Sequence, residues 1–226
     1  MADPFHRETA LIRRRSRTTA ANVFASAFVG TPMTLDLDPT RTAVVVVDMQ
    51  NGFCHPDGAL YAPGSESVID HIAELVARAR DAGARIVYTR DVHPPEQFAD
   101  AHYYDEFARW GEHVLENSWE AEIVDELTVD PDDHVVEKHT YDAFYNTELE
   151  GWLNARGIDD LVICGTLANV CVLHTGGSAG LRDFRPLMVE DCIGAIEDGH
   201  REYALEHADW LFGEVLSRED VTFDVA

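Results

Sequence analysis

The sequence predicts an α/β fold three layers deep, α/β/α, with a mostly parallel central sheet. Three observations carry that prediction. Short β-branched runs such as residues 43–47 (AVVVV) are apolar on both faces, as in strands buried inside a parallel sheet. These runs alternate with stretches of helical period, the order that builds a parallel sheet covered by helices. The chain is long enough as well: 226 residues with 46% apolar content suffice for one sizeable core.

Each element can be justified in order. The first strand ends at Asp48, and an acid at the carboxyl end of a strand points to a site, because ligands of open α/β sheets bind outside those ends. A loop marked by Gly52, Pro56-Asp57-Gly58 and Pro63-Gly64 carries Phe53. Ser65 is placed as the cap of a helix whose inner face is Ile69, Ile72, Leu75, Val76 and Ala79, with Gly83 just past its end. Residues 84–89 (ARIVYT) form the next strand, which leads into Arg90-Asp91-Val92-His93. Residues 94–118 make a long polar and aromatic connection with Phe98, Tyr103, Tyr104, Phe107 and Trp110, and Trp119 follows it. A loop of that length inside a compact domain is expected to be a lid or a pocket wall. Residues 134–137 form a short strand with Lys138 at its end, and 146–156 a helix with Leu149 and Leu153 inward and Gly157 beyond. Residues 161–164 form a buried strand and 170–181 its helix; residues 186–189 form the last strand, before a helix around 200–212. No internal repeat is present.

Composition excludes several functions. With 42 acids against 17 bases the formal net charge is −25, a surface that repels nucleic acid and anionic membranes. Such a surface suits a salt-loving source, where screening relieves self-repulsion. Sixteen of the 17 bases are arginine, so Lys138 is the only lysine. No apolar run approaches the roughly 20 residues of a membrane-spanning helix. The four cysteines, Cys54, Cys164, Cys171 and Cys192, lack CxxC or dense spacing and are expected to be free thiols in a cytoplasmic protein. Residues 1–32 carry five arginines and two acids, a net +3, and show no strand signal. Three readings of this extension compete: a disordered tail, a mis-assigned start with initiation at Met33, or a poor twin-arginine leader, with the mis-assigned start placed first. The domain is expected to span residues 33–226, and a homo-oligomer is left open.

Chemistry concentrates in residues 161–175 (LVICGTLANVCVLHT), read as a strand, a tight turn at Gly165-Thr166 and a helix with Cys171 in its first turn. Unpaired N–H groups and partial positive charge at a helix N-terminus stabilise a thiolate and an oxyanion. The competing reading of Cys171 is a small core residue. Asp48, Lys138 and Cys171 all fall at the carboxyl ends of strands. Each alone has an ordinary reading: a cap, a solvated charge, core packing. Together they make chemical sense, since a thiol near an ammonium ionises more readily and a nearby carboxylate can accept its proton.

Asp48-Met49-Gln50-Asn51 with Phe53, the strand-end Lys138, and Gly165-Thr166-Leu167-Ala168-Asn169-Val170-Cys171-Val172 resemble the isochorismatase-like cysteine hydrolases, which include the nicotinamidases. The resemblance runs from about Thr42 to Phe212. It implies a Rossmann-like fold, Cys171 as nucleophile, Asp48 as proton acceptor and later donor, and Lys138 as the cation beside them. It also implies a cis peptide between Thr166 and Leu167, with the amides of Leu167 and Cys171 forming an oxyanion hole. Nicotinamidases carry Asp-x-His after the second strand and a further His behind a Trp, matched here by Asp91, His93, His113 and Trp110. That set suits Zn²⁺, Mn²⁺ or Fe²⁺ with open positions. A further histidine of some relatives is replaced by Ala99, with His102 as a substitute. The implied function is hydrolysis of a small-molecule amide, nicotinamide first, with Phe53 and Trp110 flanking the ring and no nucleic-acid or membrane partner. Residues 117–122 (NSWEAE), 141–147 (YDAFYNT) and 168–171 (ANVC) look more like the metal-free ureidoacrylate- or carbamoyl-type amidohydrolases, which are the alternative. A non-catalytic binding domain of the same fold is the third reading.

Overall fold

The computed structural model describes residues 34–99 and 109–223. The expectations for residues 1–32, and for His102, Tyr103, Tyr104 and Phe107, lie outside the described residues. Eight strands are described: β1 (Leu35–Leu37), β2 (Thr42–Val47), β3 (Arg85–Asp91), β4 (His134–Lys138), β5 (Asp160–Gly165), β6 (Arg185–Ile193), β7 (Glu214–Leu216) and β8 (Val221–Phe223). The helices are α1 (Asn51–Cys54), α2 (Pro63–Glu66), α3 (Ile69–Ala82), α4 (Glu96–Ala99), α5 (Leu149–Asn154), α6 (Leu173–Gly180) and α7 (Asp198–Leu211). Six strands form one sheet in the order β4-β3-β2-β5-β6-β7, and every pairing in it is parallel. β1 and β8 form a separate parallel pair.

The β-branched run of β2 is buried along its whole length because both faces of the sheet are covered. Val44 and Val46 face a core shared with Ile72, Leu75, Val76 and Ala79 of α3. Ala43, Val45 and Val47 face the opposite core, shared with Leu149 and Leu153 of α5, Ala179 of α6, and Ala204 and Ala208 of α7. Burying side chains of this size stabilises the fold by about 1.5–3 kcal/mol each. Helix α3 ends where expected, with Gly83 at φ 89° donating to the carbonyls of Ala79 and Arg80. Among the described residues no helix is long and apolar enough to cross a membrane.

Several boundaries differ from the sequence reading. Ser65 does not cap α3; it lies inside the one-turn helix α2, and its buried hydroxyl turns inward to the Thr166 hydroxyl. β3 runs on to Asp91 and β6 to Ile193, so Asp91 belongs to the strand itself. Helix α5 begins at Leu149 instead of 146, because Asn146 sits at φ 56° in the turn before it. β1, β7 and β8, three residues each, are too short to show a period.

Sequence order reverses between β2 and β5: the chain builds β3 and β4 on one side of β2, then returns to lay β5 and β6 on the other. Loops after those two central strands part there, which opens a crevice at the carboxyl edge. Asp48 leaves β2 and Thr166 leaves β5 on the two sides of it. Gly165 makes this approach feasible. It has φ 112°, and a Cβ built there would lie 2.2 Å from the Val47 carbonyl oxygen. We expect Gly165→Ala to lower the stability measured by urea unfolding by about 3 kcal/mol or more, since strand backbone cannot move aside as a side-chain tip can.

Candidate active site

Strand ends deliver three of the four central groups: Asp48 from β2, Asp91 from β3 and Lys138 from β4. Cys171 comes from the π-helical turn Ala168–Val172 that opens α6. Lys138 Nζ lies 2.7 Å from Asp48 Oδ2 and 3.7 Å from Asp91 Oδ1, and it donates to Cys171 Sγ at 3.7 Å and to the Thr140 carbonyl at 2.8 Å. All four residues are buried. The predicted triad therefore does meet around one ammonium.

That single cation decides how the acids titrate. Burial opposes charging Lys138, but Asp48, Asp91 and Cys171 around it raise its pKa. Asp91 is pushed up by burial, yet Lys138, His93 and His113 together hold it below its ordinary value. Asp48 lacks the imidazoles. Burial raises its pKa, the Asp91 charge adds to this, and Lys138 and Thr89 only partly offset them. Cys171 corrects the expectation of a readily ionised thiol: burial raises its pKa well above the ordinary value, and Asp48 and Asp91 add to the effect that Lys138 opposes. Burial thus disfavours the charged form of both Asp48 and Cys171.

Asp48 is fixed by a residue the sequence reading missed. Thr89 Oγ donates to Asp48 Oδ1 at 2.6 Å and accepts from the Asp48 amide at 3.1 Å, holding a residue whose φ is 48°. Gln50 does the same for the other strand end: its Nε2 donates to the Asp91 carbonyl at 2.9 Å and its Oε1 accepts from the Asp91 amide at 2.7 Å. A polar residue just after a strand was the available signal for Gln50. For Thr89, buried mid-strand, there was none.

Asp91, His93 and His113 bring three ligand atoms within 4.8 Å of one another. The long connection is responsible: Val114 and Glu116 pair with the His93 backbone, which sets His113 beside it. The ring centroids of His93 and His113 are 5.0 Å apart. His113 Nδ1 faces the Gly111 carbonyl at 2.7 Å and His93 Nδ1 faces Gln97 Oε1 at 2.7 Å, so both Nδ1 atoms carry hydrogen and the neutral rings keep their lone pairs on Nε2. Asp91 Oδ1 is buried without a hydrogen bond, 3.4 Å from His93 Nε2. Lone pairs converging on a buried point require a cation between them. A proton on His93, whose pKa is raised by Asp91 and Gln97 against burial, or a divalent metal supplies it. The donor set thus fits a transition metal. Ala99 ends α4 and stands in the connection next to this cluster's sequence.

These groups open onto one cavity of about 380 Å³, the size of a small-molecule site. Asp48, Asp91, Cys171, Phe53 and Leu167 line it, as do His93, His113 and the half-exposed Trp110. Tyr61, His139, Tyr141, Asn169, Ile196 and His200 also line it and were not foreseen. The Thr166–Leu167 peptide is cis, as the resemblance implied.

The crevice at the strand reversal and its buried acid, ammonium and thiol define a hydrolase-type α/β pocket. The chain matches the isochorismatase domain over residues 42–220 and belongs to that family. It is a member of the isochorismatase-like amidohydrolase superfamily, a hydrolase of amide C–N bonds. It is 30% identical to the ureidoacrylate amidohydrolase RutB of Azorhizobium caulinodans over 84% of this chain and 92% of that one. Its fold is similar to a cysteine hydrolase from Pseudomonas syringae pv. phaseolicola (TM-score 0.78, 27% identity, 84% and 94% of the two chains). It is also similar to a pyrazinamidase of Pyrococcus horikoshii in complex with zinc (TM-score 0.71, 28% identity, 78% and 99%).

Removing the shared cation leaves the buried carboxylates Asp48 and Asp91 uncompensated. We expect Lys138→Met to cost about 3–5 kcal/mol in urea unfolding. Because the folded pKa of Lys138 is raised, this difference should persist from neutral pH up to about 10, where free lysine begins to lose its proton, and fade only above that.

Proposed function

We propose that the protein hydrolyses nicotinamide to nicotinate and ammonia through a thioester on Cys171. One observation carries this reading: the Asp91, His93 and His113 cluster shares a cavity with Cys171. A metal-free amidase has no use for such a cluster, and a zinc complex is named for one neighbour. A divalent ion held by these three residues would supply a Lewis-acid position for the pyridine nitrogen. Phe53 and Trp110 both line the cavity and would flank the ring.

The residues act as follows. The Cys171 thiol gives its proton to Asp48, and the sulfur attacks the carboxamide carbon. The amides of Leu167 and Cys171 hold the oxyanion, one such donor contributing about 3 kcal/mol to barrier lowering. Lys138 stays protonated between the two reacting groups and keeps the carboxylate form of Asp48 accessible. Asp48 protonates the departing nitrogen, and ammonia leaves the thioester. Asp48 then takes a proton from water, hydroxide attacks the thioester, and nicotinate leaves as the proton returns to sulfur.

The ureidoacrylate relative supports a second reading, a ureido or carbamoyl amide. Such a substrate bearing a carboxylate would enter a cavity that presents Asp48 and Asp91, and among the described lining residues none is Arg or Lys. That weighs toward a neutral amide. The convergence of Asp48, Lys138 and Cys171 weighs against a non-catalytic binding domain.

Protein purified in high salt should carry close to one transition-metal ion per chain, by elemental analysis, and turn over nicotinamide faster than ureidoacrylate. Chelation should remove the activity, and His93→Ala should lose both metal and turnover. A folded, metal-free enzyme that prefers ureidoacrylate would reverse the ranking. Cys171→Ala should lower kcat by about ten-thousand-fold while leaving the circular-dichroism spectrum unchanged.

Thr89 gives a pH test. Its hydrogen bond favours the charged form of Asp48, so removing it raises the Asp48 pKa further. The base must be ionised to accept the thiol proton. In Thr89→Val the acidic limb of the kcat/KM profile should therefore move to higher pH, with activity at the alkaline end the least affected.

A further inference from the structure

We propose that Ser65 is a positioning residue for the nucleophile turn, acting through the hydroxyl of Thr166; this rests on the amidase reading above. Ser65 and Thr166 are 101 residues apart in sequence and both fully buried, and their hydroxyls lie 2.5 Å apart. Neither hydroxyl can turn away without leaving a polar group unpaired in the interior, so each holds the other. Thr166 lines the cavity and directly precedes Leu167, whose amide is the proposed oxyanion donor.

The surrounding backbone leaves that turn little other freedom. Thr166 donates its amide to the Val47 carbonyl at 2.9 Å, which ties one side to β2. Gly194 donates to Gly165 at 2.9 Å and accepts from Ala168 at 2.8 Å, which ties the other side to the end of β6. Helix α2 presses on the same point. A Cβ at Gly64 would lie 2.1 Å from the Ala195 carbonyl oxygen, and one at Gly194 would lie 2.7 Å from that of Gly64. Three chain segments thus meet backbone to backbone, and Ser65 supplies the side-chain bond from α2 to the turn. The exposed Ser67, two residues on, satisfies its hydroxyl locally, on the Gly64 carbonyl at 2.9 Å. Ser65 instead reaches across to Thr166, the residue beside the proposed donor amide of Leu167. Displacing that amide by a fraction of an ångström weakens oxyanion binding while leaving the thiol in place.

The test compares Ser65→Ala with the wild type in the full chain. Nicotinamide kcat should fall about 10- to 100-fold with KM changed less than about twofold. Nicotinaldehyde, the aldehyde analogue, adds to Cys171: the S–C bond forms as the C=O π bond breaks, the thiol proton passes to Asp48, and the oxygen occupies the oxyanion position. Its inhibition constant should weaken by the same factor as kcat. Alkylation of Cys171 by iodoacetamide, which displaces iodide and needs no oxyanion hole, should keep its wild-type rate. Thr166→Val should reproduce the loss, and the double variant should be no worse than either single one. It also serves if Ser65→Ala folds poorly. Unchanged kcat in both single variants, loss of alkylation together with kcat, or additive losses in the double variant would each overturn the proposal. A wild type inert toward amide and aldehyde alike would instead overturn the amidase reading and this role with it.

Discussion

One buried ammonium holds the site together. Lys138 lies within 3.7 Å of two carboxylates and a thiol, and no second cation of the chain is in that position among the described residues. One charge cannot neutralise three acids in a low-dielectric interior. The acids are therefore sorted by what else they touch: Lys138 and the imidazoles hold the pKa of Asp91 below its ordinary value, while burial raises those of Asp48 and Cys171. Transfer between those two leaves the net charge of the buried group unchanged. On the proposed roles, the thiolate needed for attack arises without bringing a new charge into the interior, with Lys138 beside both donor and acceptor.

The fold makes this convergence possible through strand order. Asp48, Asp91 and Lys138 occupy the ends of three adjacent parallel strands, β2, β3 and β4, so the register of one sheet sets their spacing. Cys171 arrives from the other side of the reversal point, after β5. The close approach of Gly165 to Val47 closes the gap between the two halves. Any slip between β2 and β5 would separate Asp48 from Cys171, and the close backbone contacts at Gly165, Thr166 and Gly194 hold that register.

Much of this was legible in the sequence, and for a physical reason. Strands buried on both faces announce themselves by uninterrupted β-branched runs, and charged residues at their ends break the pattern, so Asp48 and Lys138 stood out, whereas Asp91 came only through the family resemblance. Local pattern does not report partners. Thr89 and Gln97 act by contacting residues elsewhere in the chain, Asp48 and His93, and nothing in their own neighbourhood marks them. Ser65 was misread for the same reason: a serine before an apolar helical stretch looks like a cap, while its actual partner lies 101 residues on. The thiol was misread because the lysine was visible in the sequence and the thiol's burial was not.

The single lysine then has an explanation in geometry. Elsewhere among the described residues arginine makes the ion pairs: Arg80 with Asp130 and Asp133, Arg182 with Glu150, and Arg185 with Glu214, each on the surface or half-buried. There a planar fork matches a carboxylate and stays partly in water. The position between Asp48, Asp91, Cys171 and the Thr140 carbonyl is different, because its partners surround one point instead of lying in one plane. An ammonium with three donors on a rotatable stem can address such a set, whereas a guanidinium would carry more volume and aim its donors in a single plane. A chain that otherwise uses arginine for every base therefore requires lysine where the charge must be compact, and that requirement singles out the same residue as the network of distances does.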